Sequence, residues 1–166
     1  MGLGKTDNSA RERKYYLTIS EGQVVHSENG KKDYYSYVEG QLERIYKQER
    51  NFKGETVPYW YTDIRSETGE LYSLSLPYKS GTFKSIVLSL ASEPEIATSI
   101  VKIEPYLKDD FTKVVVYSNE KKLDWITKEL PAVEELHVAG QKIKDDTKRM
   151  DYIIYLVGEI NARLKN

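Results

Sequence analysis

Apolar and polar side chains alternate with a period of two along much of residues 14–125, which is typical of half-buried β-strands. The clearest example is Leu71 to Tyr78, where leucines alternate with serines. A strand is predicted from Glu55 to Arg65, and Glu67-Thr68-Gly69-Glu70 between the two is a turn sequence. The pattern therefore predicts a β-hairpin at the centre of the chain.

Shorter strands are predicted on both sides of this hairpin. Lys14 to Ser27 contains two β-type runs separated by Glu21-Gly22, and a turn follows at Asn29 to Lys32. Ser99 to Tyr106 and Thr112 to Ser118 are two later strands. The chain is therefore expected to be mainly β.

The segment Asp33 to Phe52 fits two different periods. Leu42, Ile45 and Tyr46 have helical spacing, whereas Leu42, Arg44 and Tyr46 alternate as they would along a strand. A glycine near the start of the segment disfavours a helix and so favours the strand.

Two other segments have a clear helical period. Apolar residues of Thr82 to Ser92 fall at i, i+3, i+4 and i+7, and Asp146 to Leu164 has the same spacing after the N-cap candidates Asp145 to Thr147. Residues 126–146 contain proline, glycine and mixed charge, and are predicted to be irregular, either a linker or a loosely packed addition to the domain.

Between about Gln41 and Ser118 the predicted order is three strands, a helix and two strands. That is the order of an OB-fold, a five-stranded Greek-key barrel with a helix between its third and fourth strands. We predict this barrel with an N-terminal hairpin and a C-terminal helix added to it. The expected division is a flexible arm over residues 1–13, the barrel and its hairpin over 14–125, and a linker with an amphipathic helix over 126–166.

Composition restricts the classes of protein. Of 166 residues, 39% are hydrophobic and 31% charged, and no apolar run approaches the length of a membrane span. The polar first residues lack the apolar core of a secretory signal, so we expect a cytoplasmic protein. The absence of cysteine excludes disulfides and thiolate chemistry.

Signals for catalysis are weak. His26 and His137 are the two histidines, and neither has a partner at metal-ligand spacing. Gly2-Leu3-Gly4-Lys5-Thr6 ends like a phosphate-binding loop but lacks the preceding strand and the first glycine. Asp109-Asp110 and Asp145-Asp146 are expected to be turn or cap residues. We therefore expect no enzymatic activity, metal or cofactor.

Several aromatic and glycine positions resemble those of a known family. They are Trp60-x-x-Asp63, Gly69-Glu70-Leu71-Tyr72-x-Leu74-x-Leu76, Tyr78-x-Ser80-Gly81, Ile103-x-Pro105-Tyr106 and Lys122-Leu123-x-Trp125. Over residues 41–125 the chain resembles phage-type single-stranded DNA-binding proteins of the OB-fold class. The resemblance implies a role in DNA replication or recombination, in the host cytoplasm if the chain is of phage origin.

Tyrosine accounts for 14 of the 166 residues, and aromatic rings beside Lys and Arg on adjacent strands form stacking platforms for unpaired bases. Period two places Tyr59, Tyr61 and Arg65 on one face of their strand and Trp60 on the other, with Ile64. Tyr59 and Tyr61 are therefore the predicted base-stacking residues. Trp60 is either a further stacking residue or part of the core, and Tyr72, which shares a face with leucines, is expected in the core.

Local positive charge is needed for phosphate contacts, because the net charge is −1. The candidate phosphate-binding residues are Arg44, Lys47, Arg50, Arg65, Lys79, Lys84 and Lys102. Lys79 and Lys84 flank Gly81 with no acidic residue nearby in the sequence, and Tyr78 adds an aromatic ring; the alternative is an ordinary strand-to-helix connection. Lys102 and Tyr106 are predicted to extend the same surface.

Together these features predict a sequence-tolerant single-stranded DNA-binding protein that stacks bases on tyrosines and pairs phosphates with Lys and Arg. The sequence does not distinguish DNA from RNA. The alternative is a β-rich interaction or assembly subunit without nucleic-acid binding, because tyrosines also line protein interfaces. The C-terminal helix packs on its own barrel, on another copy or on a replication partner.

Overall fold

A computed structural model describes residues 13–165. The arm predicted over residues 1–13, except Arg13, and the Gly2–Thr6 motif lie outside the described residues. The strands are β1 (Lys14–Ser20), β2 (Gln23–Glu28), β3 (Lys31–Tyr35), β4 (Val38–Phe52), β5 (Glu55–Arg65), β6 (Leu71–Pro77), β7 (Ile100–Lys108), β8 (Phe111–Ser118), β9 (Lys121–Lys122), β10 (Glu134–Val138) and β11 (Gln141–Asp145). The helices are α1 (Gly81–Leu90) and α2 (Thr147–Leu164), with a 3-10 turn at Ile96–Thr98.

Nine strands form one sheet in the order β3-β2-β1-β6-β5-β4-β7-β8-β9. Neighbouring strands are antiparallel except β1 and β6, which are parallel. The prediction of a mainly β protein is confirmed. Over residues 13–165 no hydrogen-bonded ladder joins the two edges of the sheet, so the sheet is open and the predicted closed barrel is not observed.

Tight two-residue turns connect most of the consecutive antiparallel strands, while five residues connect β5 to β6. At Asn29 and Gly30, for example, φ is 52° and 78°, and the same pair of positive values occurs at Glu21-Gly22 and Asp109-Asp110. Turns with two positive φ angles match the right-handed twist of the strands that they join. The turns predicted at Glu21-Gly22 and Asn29-Gly30 are thus confirmed, and Asp109-Asp110 is a turn as expected.

A β-bulge in β4 resolves the ambiguous period of Asp33 to Phe52. The register with β5 shifts between Leu42 and Arg44, so Leu42 and Ile45 both face the core although they are three residues apart. The helix-like spacing therefore comes from an extra residue in a strand. Beyond the bulge, Arg44 and Tyr46 lie on the face opposite to Leu42, which corrects the simple alternation predicted for these three residues.

The sheet is strongly curved, as contacts between distant strands show. The turn between β1 and β2 reaches the hairpin of β7 and β8, where the Gly22 backbone N–H donates a hydrogen bond to Thr112 Oγ1 at 3.2 Å. A Cβ atom at Gly22 would lie 2.9 Å from the Leu107 backbone nitrogen, so only glycine allows this approach.

One face of the sheet, the helix-side face, packs against both helices. In α1 the side chains of Phe83, Ile86, Val87 and Leu90 are fully buried, and Ser80 Oγ caps the helix by accepting a bond from the Phe83 N–H at 3.1 Å. In α2 the residues Ile153, Leu156, Val157 and Ile160 belong to the same core. The apolar face of the C-terminal helix therefore packs on its own chain. No helix within residues 13–165 is long and apolar enough to cross a lipid bilayer.

The segment 126–146 is more regular than predicted. It contains the hairpin of β10 and β11, in which Leu136 pairs with Ile143 around a turn at Ala139-Gly140. The prediction of an irregular segment is confirmed over 126–133 and wrong over 134–145, because alternating residues in two five-residue strands form a hairpin signal too short to stand out among the charges.

Candidate nucleic-acid interface

The face of the sheet opposite to the helices, the outer face, carries the predicted tyrosines. Along β5, Trp60 and Ile64 are buried in the core on the helix-side face, whereas Tyr59, Tyr61 and Asp63 alternate with them. Tyr61 is buried but does not belong to the core cluster. The predicted division of β5 into two faces is therefore correct.

Four adjacent strands bring a set of polar and aromatic side chains together on this face. In register across β1, β6, β5 and β4, Tyr16 lies beside Ser73, Ser73 beside Asp63, and Asp63 beside Arg44. Small serines on β6 leave room for larger side chains from the strands on either side. We call this set the tyrosine–cation cluster, and it consists of Lys14, Tyr16, Arg44, Tyr46, Arg50, Tyr59, Tyr61 and Asp63.

Tyr61 lies at the centre of the cluster. Its ring stacks on Tyr46, with centroids 5.3 Å apart and planes 14° apart, and meets Tyr16 edge-on at 6.2 Å. Its hydroxyl accepts a hydrogen bond from Arg50 Nε at 2.7 Å. With only 5% of its surface exposed, Tyr61 has no free face for a base. It supports the rings around it, which corrects its predicted role as a base-stacking residue.

Arg50 covers two tyrosines at once. Its guanidinium carbon lies 4.4 Å from the centroid of Tyr59 and 5.5 Å from that of Tyr61, within the range of cation–π attraction. Its Nη2 donates to Ser75 Oγ at 3.0 Å. These contacts hold the half-buried guanidinium group beside both rings.

Asp63 is the buried carboxylate of the cluster. Its Oδ2 atom lies 3.2 Å from both Lys14 Nζ and Arg44 Nε, while its Oδ1 atom is buried without a hydrogen-bond partner among the described residues. Burial lowers the pKa of Lys14, but the hydrogen bonds to Tyr46 and Asp63 outweigh it, so the pKa is raised overall. The hydrogen bond to Asp63 also raises the pKa of Arg44. Both groups therefore remain cations at neutral pH.

Exposed aromatic rings lie within the cluster and at its border. Tyr16 is 52% exposed, and Phe52 at the end of β4 is 62% exposed, with Lys53 Nζ 5.5 Å from its ring centroid. Tyr59 and Tyr46 are half-buried. Tyr16 and Phe52 therefore offer the open ring surfaces that Tyr61 lacks.

Sequence reasoning missed Lys14, Tyr16, Tyr46 and Asp63 as members of the site. The signal for Tyr46 was its alternation with Arg44 and Arg50 along one strand, hidden by the bulge that precedes them. Lys14 and Tyr16 reach the site through the parallel pairing of β1 with β6, a contact between segments more than fifty residues apart.

Trp60 and Tyr78 lie on the helix-side face, away from the cluster. Trp60 is stacked between Tyr78, at 5.6 Å, and Phe83, at 5.0 Å, and is 4% exposed. Lys47 Nζ lies 5.4 Å from the Tyr78 ring on the same side. Of the two interpretations of Trp60, the structure supports the core residue.

The basic loop around Gly81 has an acidic neighbour in space. Lys79 Nζ lies 3.5 Å from Asp146 Oδ1 at the start of α2, a contact that the local sequence could not reveal. Burial lowers the pKa of Lys84 on α1, although Asp146 opposes this shift. The loop is therefore partly neutralised and stands on the helix-side face with Tyr78.

Arg65, Lys102 and Tyr106 make other contacts. Arg65 forms an ion pair with Glu43 and donates to the Gly69 carbonyl at 3.0 Å. Lys102 Nζ lies between the rings of Tyr37 and Tyr117, 5.2 and 4.7 Å from their centroids, and 3.8 Å from Glu104. Tyr106 is 44% exposed on β7. The predicted residues thus fall into several groups, of which Arg44, Arg50, Tyr59 and Tyr61 meet in the cluster.

Comparisons with known proteins return no relatives. No family model matches the chain, and neither curated proteins nor solved structures give a significant match. Over residues 13–165 no three His, Asp or Glu side chains gather in a geometry that could hold a metal ion.

Proposed function

We propose that the outer face binds single-stranded DNA without sequence preference. The observation that carries the proposal is the tyrosine–cation cluster, in which Lys14 and Arg44 flank one buried carboxylate, and these two cations and Arg50 lie against tyrosine rings. Aromatic faces accept any base, and nearby cations meet the backbone phosphates.

The strand order supports this proposal. Strands β6-β5-β4-β7-β8 follow one another as the third, second, first, fourth and fifth strands of an OB-fold do, and α1 lies between the third and fourth. In a closed barrel the third and fifth strands would be neighbours, but here β1 occupies that edge of β6. We propose an open variant of the OB arrangement. OB-folds bind oligonucleotides across their second and third strands, which correspond to β5 and β6.

The mechanism assigns different tasks to the members of the cluster. Tyr16 and Tyr59 receive bases, and Phe52 extends the platform at the β4–β5 turn. Lys14, Arg44 and Arg50 meet phosphates, while Tyr61 and Tyr46 keep the platform flat. Stacking uses the ring faces that every base has, and the phosphate contacts are the same for all nucleotides, so all four bases are accepted.

Fluorescence anisotropy with labelled oligothymidylate and a duplex of equal length tests this function. We expect the single strand to bind about tenfold or more tightly than the duplex at low salt, because paired bases cannot reach the rings. Equal binding of both, or binding of neither, would contradict the proposal. An oligouridylate in the same assay compares RNA with DNA, and the mass of the free protein in solution tests the alternative of an assembly subunit.

A further inference from the structure

A cavity of about 640 Å³ lies on the face of β1 and β6 opposite to the tyrosine–cation cluster. It is formed by β1, β2, β3, the start of β4, the start of β6 and the turn between β5 and β6. Its volume is within the range of small-molecule sites. Apolar residues Leu17, Val24 and Val38 form its floor and belong to the core.

Four tyrosines form the walls of the cavity: Tyr15, Tyr35, Tyr37 and Tyr72. The rings of Tyr15 and Tyr72 lie 5.7 Å apart at 42°, while Tyr35 and Tyr37 are 49% and 48% exposed at the mouth. Two of these rings already attract a cation of the protein, since Arg13 lies 4.8 Å from the Tyr15 centroid and Lys102 lies 5.2 Å from that of Tyr37.

The charge of the cavity is opposite to that of the outer face. Its lining contains Asp33, Glu39, Glu67 and Glu70, and no lysine or arginine among the described lining residues. Ser66 Oγ donates to Glu70 Oε2 at 2.5 Å, and this bond, followed by that from Thr68, lowers the pKa of Glu70. Burial, followed by the charge of Glu70, raises the pKa of Tyr72, so its ring stays a neutral phenol.

We propose that this cavity binds an organic cation of the alkylammonium class. Several tyrosine faces around one space are the arrangement that recognises quaternary ammonium groups, and the carboxylates at the rim add attraction without a direct bond. The proposal does not depend on nucleic-acid binding, because no residue of the tyrosine–cation cluster lines the cavity.

Amide proton–nitrogen correlation spectra of the full chain, titrated with choline, test the proposal. The matched probe is the neutral isostere of choline, in which a tert-butyl group replaces the trimethylammonium group. We expect choline to shift the amides of Tyr15, Tyr35, Tyr37 and Tyr72 saturably and to bind about tenfold more tightly than the isostere. The third probe is the acetylated amide of trimethyllysine. Tighter binding of this probe than of choline would indicate an ammonium group carried by a peptide, and tighter binding of choline would indicate a free small molecule.

Two variants identify the site. Tyr35→Leu is expected to weaken choline binding about fivefold or more, since one ring face is lost. Tyr34→Leu is the control, because Tyr34 is similarly exposed on the same strand but does not line the cavity. Equal binding of choline and its isostere, no saturable shift with either ammonium probe, or equal losses in both variants would overturn the proposal.

Discussion

Replacing Tyr16 with alanine is expected to weaken binding of oligothymidylate about 5- to 150-fold, which corresponds to about 1–3 kcal/mol for one base–aromatic stack. The reason is that Tyr16 is the exposed ring next to Tyr61, with 52% of its surface open to solvent. The free energy of unfolding should change little, because about half of the side chain already faces water and its contact with Tyr61 is edge-on. Anisotropy titrations and urea unfolding measure the two quantities.

The control for this variant is Tyr155→Ala. Tyr155 is 59% exposed on α2, on the other side of the sheet, so its removal should leave oligonucleotide binding unchanged. If Tyr16→Ala binds as well as the unmodified protein, or if both variants lose affinity equally, then the cluster is not the stacking platform.

Replacing Asp63 with asparagine is expected to move stability and binding in opposite directions. The free energy of unfolding should fall by about 1–3 kcal/mol, because the charge-assisted bonds to Lys14 and Arg44 lose their anion in a buried position. Affinity for oligothymidylate should rise, since the same two cations no longer share their charge with a carboxylate. The slope of log K against log salt should stay at about −2, because the same three cations meet phosphates in both proteins.

Glu43→Gln is the matched control for the stability effect. Glu43 also pairs with an arginine, Arg65, but 39% of its side chain is exposed, so the loss of its charge should cost about 1 kcal/mol or less. Weaker oligonucleotide binding by Asp63→Asn would show that the carboxylate positions Lys14 and Arg44 for binding rather than restraining their charge, and the proposed role of Asp63 would then be wrong.

Local patterns predicted most of the elements. The hairpin of β5 and β6, the strands β7 and β8, and both helices follow from periods of two and 3.6 over seven or more residues, and each starts or ends within about two residues of its predicted bound. The two faces of β5 could be predicted for the same reason. Trp60 and Ile64 are an even number of residues apart, so they lie on the same face, and that face packs in the core.

Long-range pairing decided the rest. The parallel ladder of β1 with β6 places Tyr16 beside Ser73, and nothing in the sequence around either residue indicates it. After the bulge at Leu42, even-numbered residues of β4 lie on the outer face instead of the core face. Alternation counted from Leu42 therefore could not assign Arg44 and Arg50 to the correct face. The neutralisation of Lys79 likewise comes from Asp146, which is distant in the sequence.

The salt dependence of oligothymidylate binding by the unmodified protein tests the proposed function most directly. With three cations, Lys14, Arg44 and Arg50, meeting phosphates of a single strand, we expect log K to fall with log salt with a slope of about −2. Tight binding with that slope, and the same affinity for strands of different base composition, is the predicted result. A slope near zero, or no binding at low salt, would contradict the assignment of the outer face as a nucleic-acid interface.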